Sequence, residues 1–202
     1  MIIIEDKAQQ DKKHIAKHLY FEQNGIYWER YPLPVGDYIL YNDAVADVIT
    51  RKQKRGVEVK KMDFLGTYNV CVDTKKDMQE IVGNICGVQH ARFRDECILA
   101  QNNGIKLYVL IENEDGITYI DDVFRWQNSR LHRYNKIKYM HNLGKWQNVA
   151  LPKAPPTKGV TLAKAMLSMQ LKYGVEFLFC RPDEAGAEIV RLLTEGGSIG
   201  AD

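Results

Sequence analysis

The sequence predicts an α/β fold: a central mixed β-sheet flanked by helices. Three observations predict it. Two apolar, β-branched runs, YNVCVDT at 68–74 and KLYVLIE at 106–112, have the nearly continuous hydrophobicity of strands buried on both faces. Segments of helical length, with apolar residues three or four apart, lie between and around them. The two kinds of segment alternate along 202 residues, of which 45% are hydrophobic and 27% charged, enough for one sizeable core.

Taken in order, residues 1–4 form a short apolar run that reads as a buried strand delivering Glu5 and Asp6 at its C-terminal end. Residues 10–24 read as a helix stopped by Gly25, with Ile15, Ala16 and Leu19 turned inward. Residues 26–31 alternate like a strand, and Pro32 and Pro34 then punctuate the chain. Residues 37–41 and 44–50 read as strands, with RKQKRG at 51–56 as a hairpin tip or mobile loop between the second of them and Val57. The run at 68–74 is a central strand. Residues 77–86 and 89–103 are helices, the second burying Phe93, Cys97 and Ala100 and ending at Gly104. The strand at 106–112 is the clearest in the sequence. Residues 121–156 read as irregular, basic and aromatic, closed by the PKAPP segment like a linker. A helix at 161–173 places Leu162, Ala165, Met166 and Met169 on one face. A strand at 175–180 follows, then a last helix opened by Pro182 and running to about Leu193. The expected division is one domain over 1–195, with an insertion at about 118–157 and a flexible tail at 196–202.

No run of 18 apolar residues exists and the N-terminus lacks a basic, then apolar, leader, so neither a membrane span nor a signal peptide is expected. Cys71, Cys86, Cys97 and Cys180 are scattered in apolar stretches, the pattern of reduced, buried thiols rather than of a zinc site. His14 and His18 are four apart on one helix face and are expected to be exposed. The net charge of +2 hides an asymmetry: residues 117–172 carry ten basic and two acidic residues, so the remainder is −6. A second basic cluster spans 51–61. This pattern suits a polyanion-facing surface set against a carboxylate-rich one that could hold a metal. Trp126, Tyr134, Tyr139 and Trp146, interleaved with the basic residues, could stack on unpaired bases or form the small core of the insertion.

The chemistry centres on PVGD at 34–37 and VDTK at 72–75. Asp73 and Lys75 are two apart, so on a strand their side chains share one face. Phosphodiester hydrolysis needs hard oxygen ligands for Mg²⁺ or Mn²⁺, a metal to acidify water and neutralise charge, and a nearby cation. Two carboxylates and a lysine at one sheet edge meet these needs. Taken alone, the pattern is also that of a strand end followed by a helix cap.

In sequence around it, GDYIL at 36–40, VDTK, EIVGNI at 80–85, HARFRDE at 90–96 and KLYVLIE resemble the nuclease domain of the XPF family. That family comprises structure-specific DNA endonucleases of the PD-(D/E)XK class, built on a restriction-endonuclease-like core. The resemblance covers about 1–113 and 160–195. It implies that Asp37 and Asp73 bind metal, that Lys75 is the catalytic lysine, that Asp6 assists at the end of the first strand, and that Arg92 faces the substrate. It further implies Mg²⁺ or Mn²⁺ as cofactor, branched or flapped DNA as substrate, roles in DNA repair or recombination, and a possible homodimer. The setting would be cytoplasmic in a bacterial or phage-infected cell, or nuclear in a eukaryote. Arg51, Lys52, Lys54, Arg55, Arg130, Arg133 and Lys136 are the expected phosphate grips.

The departures are specific. Asp73-Thr74-Lys75 stands where the family has Glu-Arg-Lys, leaving the Thr74 carbonyl as a possible metal ligand. Ala8 and Gln9 stand where Arg and Glu are usual. The acid expected after the lysine has Asp77 and Glu80 as candidates, and the stretch between GDYIL and VDTK is long. These departures motivate the alternative of a catalytically silent module that binds DNA junctions or a partner nuclease.

Overall fold

The computed structural model describes residues 1–10 and 14–197. Six strands, β1 (Ile2–Asp6), β2 (Tyr27–Tyr31), β3 (Tyr38–Leu40), β4 (Val70–Lys75), β5 (Lys106–Glu112) and β6 (Glu176–Cys180), form one sheet in the order β2-β1-β3-β4-β5-β6. The sheet is mixed: β3 runs antiparallel to both β1 and β4, and the other pairs are parallel. Every residue of β4 is buried, as its apolar run required.

Strand parity divides the core in two. On one face, Cys71, Val109 and Ile111 pack under α2 (Asp43–Lys54), α3 (Met78–Cys86), α4 (His90–Asn102) and α7 (Gly159–Tyr173). On the other, Val70, Val72 and Leu110 pack under α1 (Ile15–Gln23) and α8 (Ala185–Gly197). Phe93, Cys97 and Ala100 of α4 are buried as the 3.6-residue period required, and so are Leu162, Met166 and Met169 of α7; Ala165 is half-buried.

Four local expectations fail, each for a physical reason. Residues 44–50 are helix α2, not a strand. Val45, Val48 and Ile49 follow helical spacing, the Asn42 side chain caps the first turn by accepting from Val45 N–H at 2.9 Å, and Arg51, Lys52 and Lys54 complement the dipole of the last turn. The RKQKRG segment is therefore the end of that helix and its cap, not a hairpin tip. Residues 121–156 are not irregular throughout: α5 (Ile120–Val123) and α6 (Ser129–Asn142) lie there, the latter capped by Asn128. In α1 the inward face is the reverse of that expected. Ile15 and Leu19 are exposed, while Lys17 and Phe21 are buried, because the polar residues on that side find polar partners at the strand ends.

Two smaller differences concern single side chains. Cys86 is exposed, whereas Cys71, Cys97 and Cys180 are buried free thiols. His14 and His18 are not an exposed pair: His14 is buried beside the Tyr38 hydroxyl, and His18 stacks on Trp28 and meets Glu5 Oε2 at 2.5 Å. Pro182 lies in the turn before α8, which itself runs to Gly197; residues 198–202 of the expected tail, and residues 11–13 of the expected first helix, lie outside the described residues. Among the described residues no helix is long and apolar enough to cross a membrane.

Candidate active site

The site is built around the turn that precedes β3. Gly36 has φ +74°, and a Cβ there would lie 2.8 Å from Cys71 Cβ. Only glycine therefore lets the backbone bend this close to β4. The bend places Asp37 against β4: its N–H donates to the Val72 carbonyl at 2.8 Å, and its Oδ2 accepts both the N–H and the hydroxyl of Thr74, each at 2.8 Å. Thr74 thus fixes the Asp37 carboxylate through its hydroxyl.

Asp73 and Lys75 share the α3/α4 face of β4, as their spacing required. Lys75 Nζ donates to Asp73 Oδ1 at 2.7 Å and lies 5.5 Å from the centre of the Phe93 ring. Asp73 Oδ2 lies 2.5 Å from the same ammonium but outside hydrogen-bond geometry, and meets no other donor among the described residues.

A third carboxylate joins them that sequence reasoning missed. Glu96 of α4 accepts the Gly36 N–H at 3.0 Å. A signal for it existed, since Glu96 follows Phe93 by three residues and so lies toward the same buried face of the helix. Asp73 touches the Lys75 ammonium, and the charges of Asp37 and Glu96 also act on it. Burial, reinforced by the charges of Asp37 and Glu96, pushes Asp73 well above the usual carboxylate range against the pull of Lys75. Burial likewise raises Glu96. For Lys75 burial acts downward, but Asp73, Asp37 and Glu96 outweigh it and hold the ammonium above its ordinary value.

These groups line an open cleft of about 860 Å³ at the C-terminal end of β4. Asp6 is on its wall, with Oδ1 already accepting the Leu33 N–H at 3.0 Å. Ala8 and Gln9 line it as well. Asp77 and Glu80 also line it, but both are engaged at the start of α3: Asp77 accepts from Glu80 N–H at 2.7 Å and Glu80 from Lys76 N–H at 3.0 Å. Of the expected phosphate grips, Arg92 and Arg130 lie on the cleft wall. Arg51, Lys52, Lys54, Arg55, Arg133 and Lys136 do not, and Lys52 is paired with Asp63 at 2.7 Å.

Among the described residues no three acid, histidine or cysteine side chains converge as a complete metal-ligand set. The residues nonetheless fit a hard divalent cation. Mg²⁺ is usually held by one or two carboxylates, with water and substrate phosphate completing its shell. Here the donors are carboxylate oxygens, one of them without a donor beyond Lys75, in a buried cluster with more negative than positive charge.

A mixed sheet whose central strand ends in Asp-x-Lys, facing a Gly-Asp turn beneath two helices, defines a nuclease-type α/β core. The ERCC4 domain family matches residues 5–193, and the chain belongs to that family, the nuclease family to which the XPF proteins belong. A search of curated proteins returned no match. The fold is similar to that of a solved structure, "XPF from Aeropyrum pernix, complex with DNA", with a TM-score of 0.51 and 12% identity, covering 100% of this chain and 67% of that one.

Proposed function

We propose that this chain is a divalent-metal-dependent endonuclease that hydrolyses phosphodiester bonds in branched or flapped DNA. The observation that carries the proposal is the buried set of Asp37, Asp73 and Lys75, with Glu96 beside it on the Gly36 turn, at the end of β4 in a cleft open to solvent. Family membership and the XPF–DNA structural neighbour support DNA as the substrate.

In this reading Asp37 and Asp73 hold Mg²⁺ or Mn²⁺, with the Thr74 carbonyl and Asp6 as further ligands. When bound, the ion supplies charge neutralisation and a water of lowered pKa. Lys75 pairs with Asp73 through its ammonium. It orients the attacking water and offsets the charge that accumulates on the phosphate. Thr74 fixes Asp37, and the Gly36 N–H tied to Glu96 holds the turn that carries it. Arg92 and Arg130 at the cleft wall steer the phosphate backbone inward, with the more distant basic residues adding sequence-independent attraction. Residues 1–195 act as one nuclease domain in which 118–157 are an insertion, and the working form is a homodimer.

Cleavage of labelled flap, fork, four-way-junction and duplex DNA with Mg²⁺ or Mn²⁺, by wild type and Asp73→Ala, tests this. Cutting of branched DNA that is lost in the variant supports the proposal. A second reading, a silent module that binds junctions, draws on Ala8 and Gln9 lining the cleft in place of a third ligand. Tight junction binding by wild type with no cutting under either metal would favour it.

A further inference from the structure

The insertion has a feature that a catalytic cleft does not need. Helix α6 spans fourteen residues, about 21 Å at 1.5 Å per residue, and buries one of them, Ile137. It carries Arg130, Arg133, Lys136 and Lys138 and no acid, and none of these cations is in an ion pair among the described residues. A helix built only to support the fold would bury more apolar surface or balance its charge.

The helix is anchored at the rim of the active-site cleft. Asn128, its buried N-cap, accepts from Gln79 Nε2 at 2.9 Å and donates to the Thr157 carbonyl at 2.8 Å, and Arg130 lines the cleft. From there α6 carries its cations away from the reacting groups.

The chain then returns beside α6 and displays an aromatic ring on it. Trp146 has φ +54°, the one left-handed non-glycine residue among those described, a conformation costly for so bulky a side chain. Two bonds to its carbonyl hold it there, from His141 Nε2 at 2.8 Å and from Val149 N–H at 2.9 Å. Trp146 is 39% exposed, and Lys136 Nζ lies over its ring, 5.6 Å from the centre. Tyr139, one turn along the helix from Lys136, is 62% exposed. A strained backbone that holds a part-exposed tryptophan among cations with no carboxylate partner is suited to stacking on a base while the cations take the flanking phosphates.

We propose that α6 and the turn carrying Trp146 form a binding arm for an unpaired DNA strand that leads into the cleft. Bases stacked within a duplex hide their faces, so the occupant is single-stranded. This rests on the nuclease reading above and adds to it a site for the unpaired arm of the substrate.

The test is fluorescence anisotropy of the whole protein in EDTA, with labelled oligo(dT), a duplex of equal length, and a flap that combines them. Trp146→Ala should weaken oligo(dT) and flap binding about tenfold and leave the duplex within about twofold, the size expected for one stacked base. Trp146→Phe, which keeps a stacking ring, should recover most of the loss and guards against a folding defect in the alanine variant. Equal loss on duplex and single strand, or no loss on either, overturns the proposal. Mg²⁺-dependent cutting is scored separately: Asp73-dependent cleavage with unchanged single-strand affinity in Trp146→Ala refutes the arm and leaves the nuclease intact.

Discussion

Lys17 of α1 and Glu112 at the C-terminal end of β5 form a buried ion pair on the sheet face opposite Asp73 and Lys75. Their side chains are 4% and 11% exposed, and both line the wall of the same cleft. The strand ends thus present one paired lysine to each face, and the cleft reaches both.

Lys17→Met leaves Glu112 buried and unpaired. Loss of one partner of such a pair costs on the order of 3–5 kcal/mol, so Tm should fall by about 10 °C. Lys17→Met combined with Glu112→Leu should recover most of that loss, because two apolar groups need no pairing. Thermal unfolding of the two variants checks this; a single variant as stable as wild type would show that the pair is not desolvated.

Gly36→Ala should be among the most damaging conservative changes in the chain. It meets both a left-handed backbone and the Cys71 side chain at under 3 Å. A loss of roughly 2–3 kcal/mol is expected, with cleavage reduced further than stability because Asp37 moves with the turn. Cleavage assayed at a temperature where the variant is still folded separates the two effects.

How much of this was legible in the sequence depended on how local each signal was. Strands β4 and β5 were plain because their apolar runs admit few alternatives, and strand parity alone put Asp73 beside Lys75. Helix α2 was misread because VADVIT is β-branched, yet its period and the Asn42 cap decided for helix. The inward face of α1 could not be found by hydrophobicity, since what it buries is charge whose partner is 95 residues away. Glu96 was hidden for a related reason: its acceptor role depends on Gly36, which lies on a distant turn.

Glu96→Gln and Glu96→Ala should act in opposite directions on stability. Glutamine keeps an oxygen for the Gly36 N–H while removing a carboxylate that burial disfavours, so a gain in stability is expected; alanine leaves that buried N–H unpaired, at a cost of roughly 1–3 kcal/mol. Metal affinity by calorimetry then decides the role of the charge. If Glu96 only positions the turn, Glu96→Gln binds Mn²⁺ about as wild type does; a large loss would make Glu96 a ligand.

Lys75→Met should reduce the cleavage rate by about a hundredfold or more while DNA affinity stays within about threefold, as for groups that act mainly on the transition state. Mn²⁺ binding should persist or tighten, because Asp73 loses the ammonium that competes with the ion. Loss of metal binding together with cleavage would instead mean that Lys75 serves to hold Asp73 in place.

His14 supplies a pH dependence whose sign follows from its surroundings. Burial, helped by the Lys17 ammonium, lowers its pKa from the ordinary 6.5 to about 4. The folded protein therefore keeps His14 neutral where the unfolded chain protonates it. Above pH 6.5 both states are neutral and the contribution to stability is complete; as pH falls toward 4 the unfolded chain binds the extra proton and stability is lost, levelling off once the folded form also protonates. His14→Gln keeps a polar partner for the Tyr38 hydroxyl but has no proton to take up. Denaturant unfolding at several pH values between 4 and 7.5 should show wild type losing more stability on acidification than His14→Gln, with the difference confined to that window. Parallel curves would mean that the imidazole remains accessible to solvent protons in the folded state.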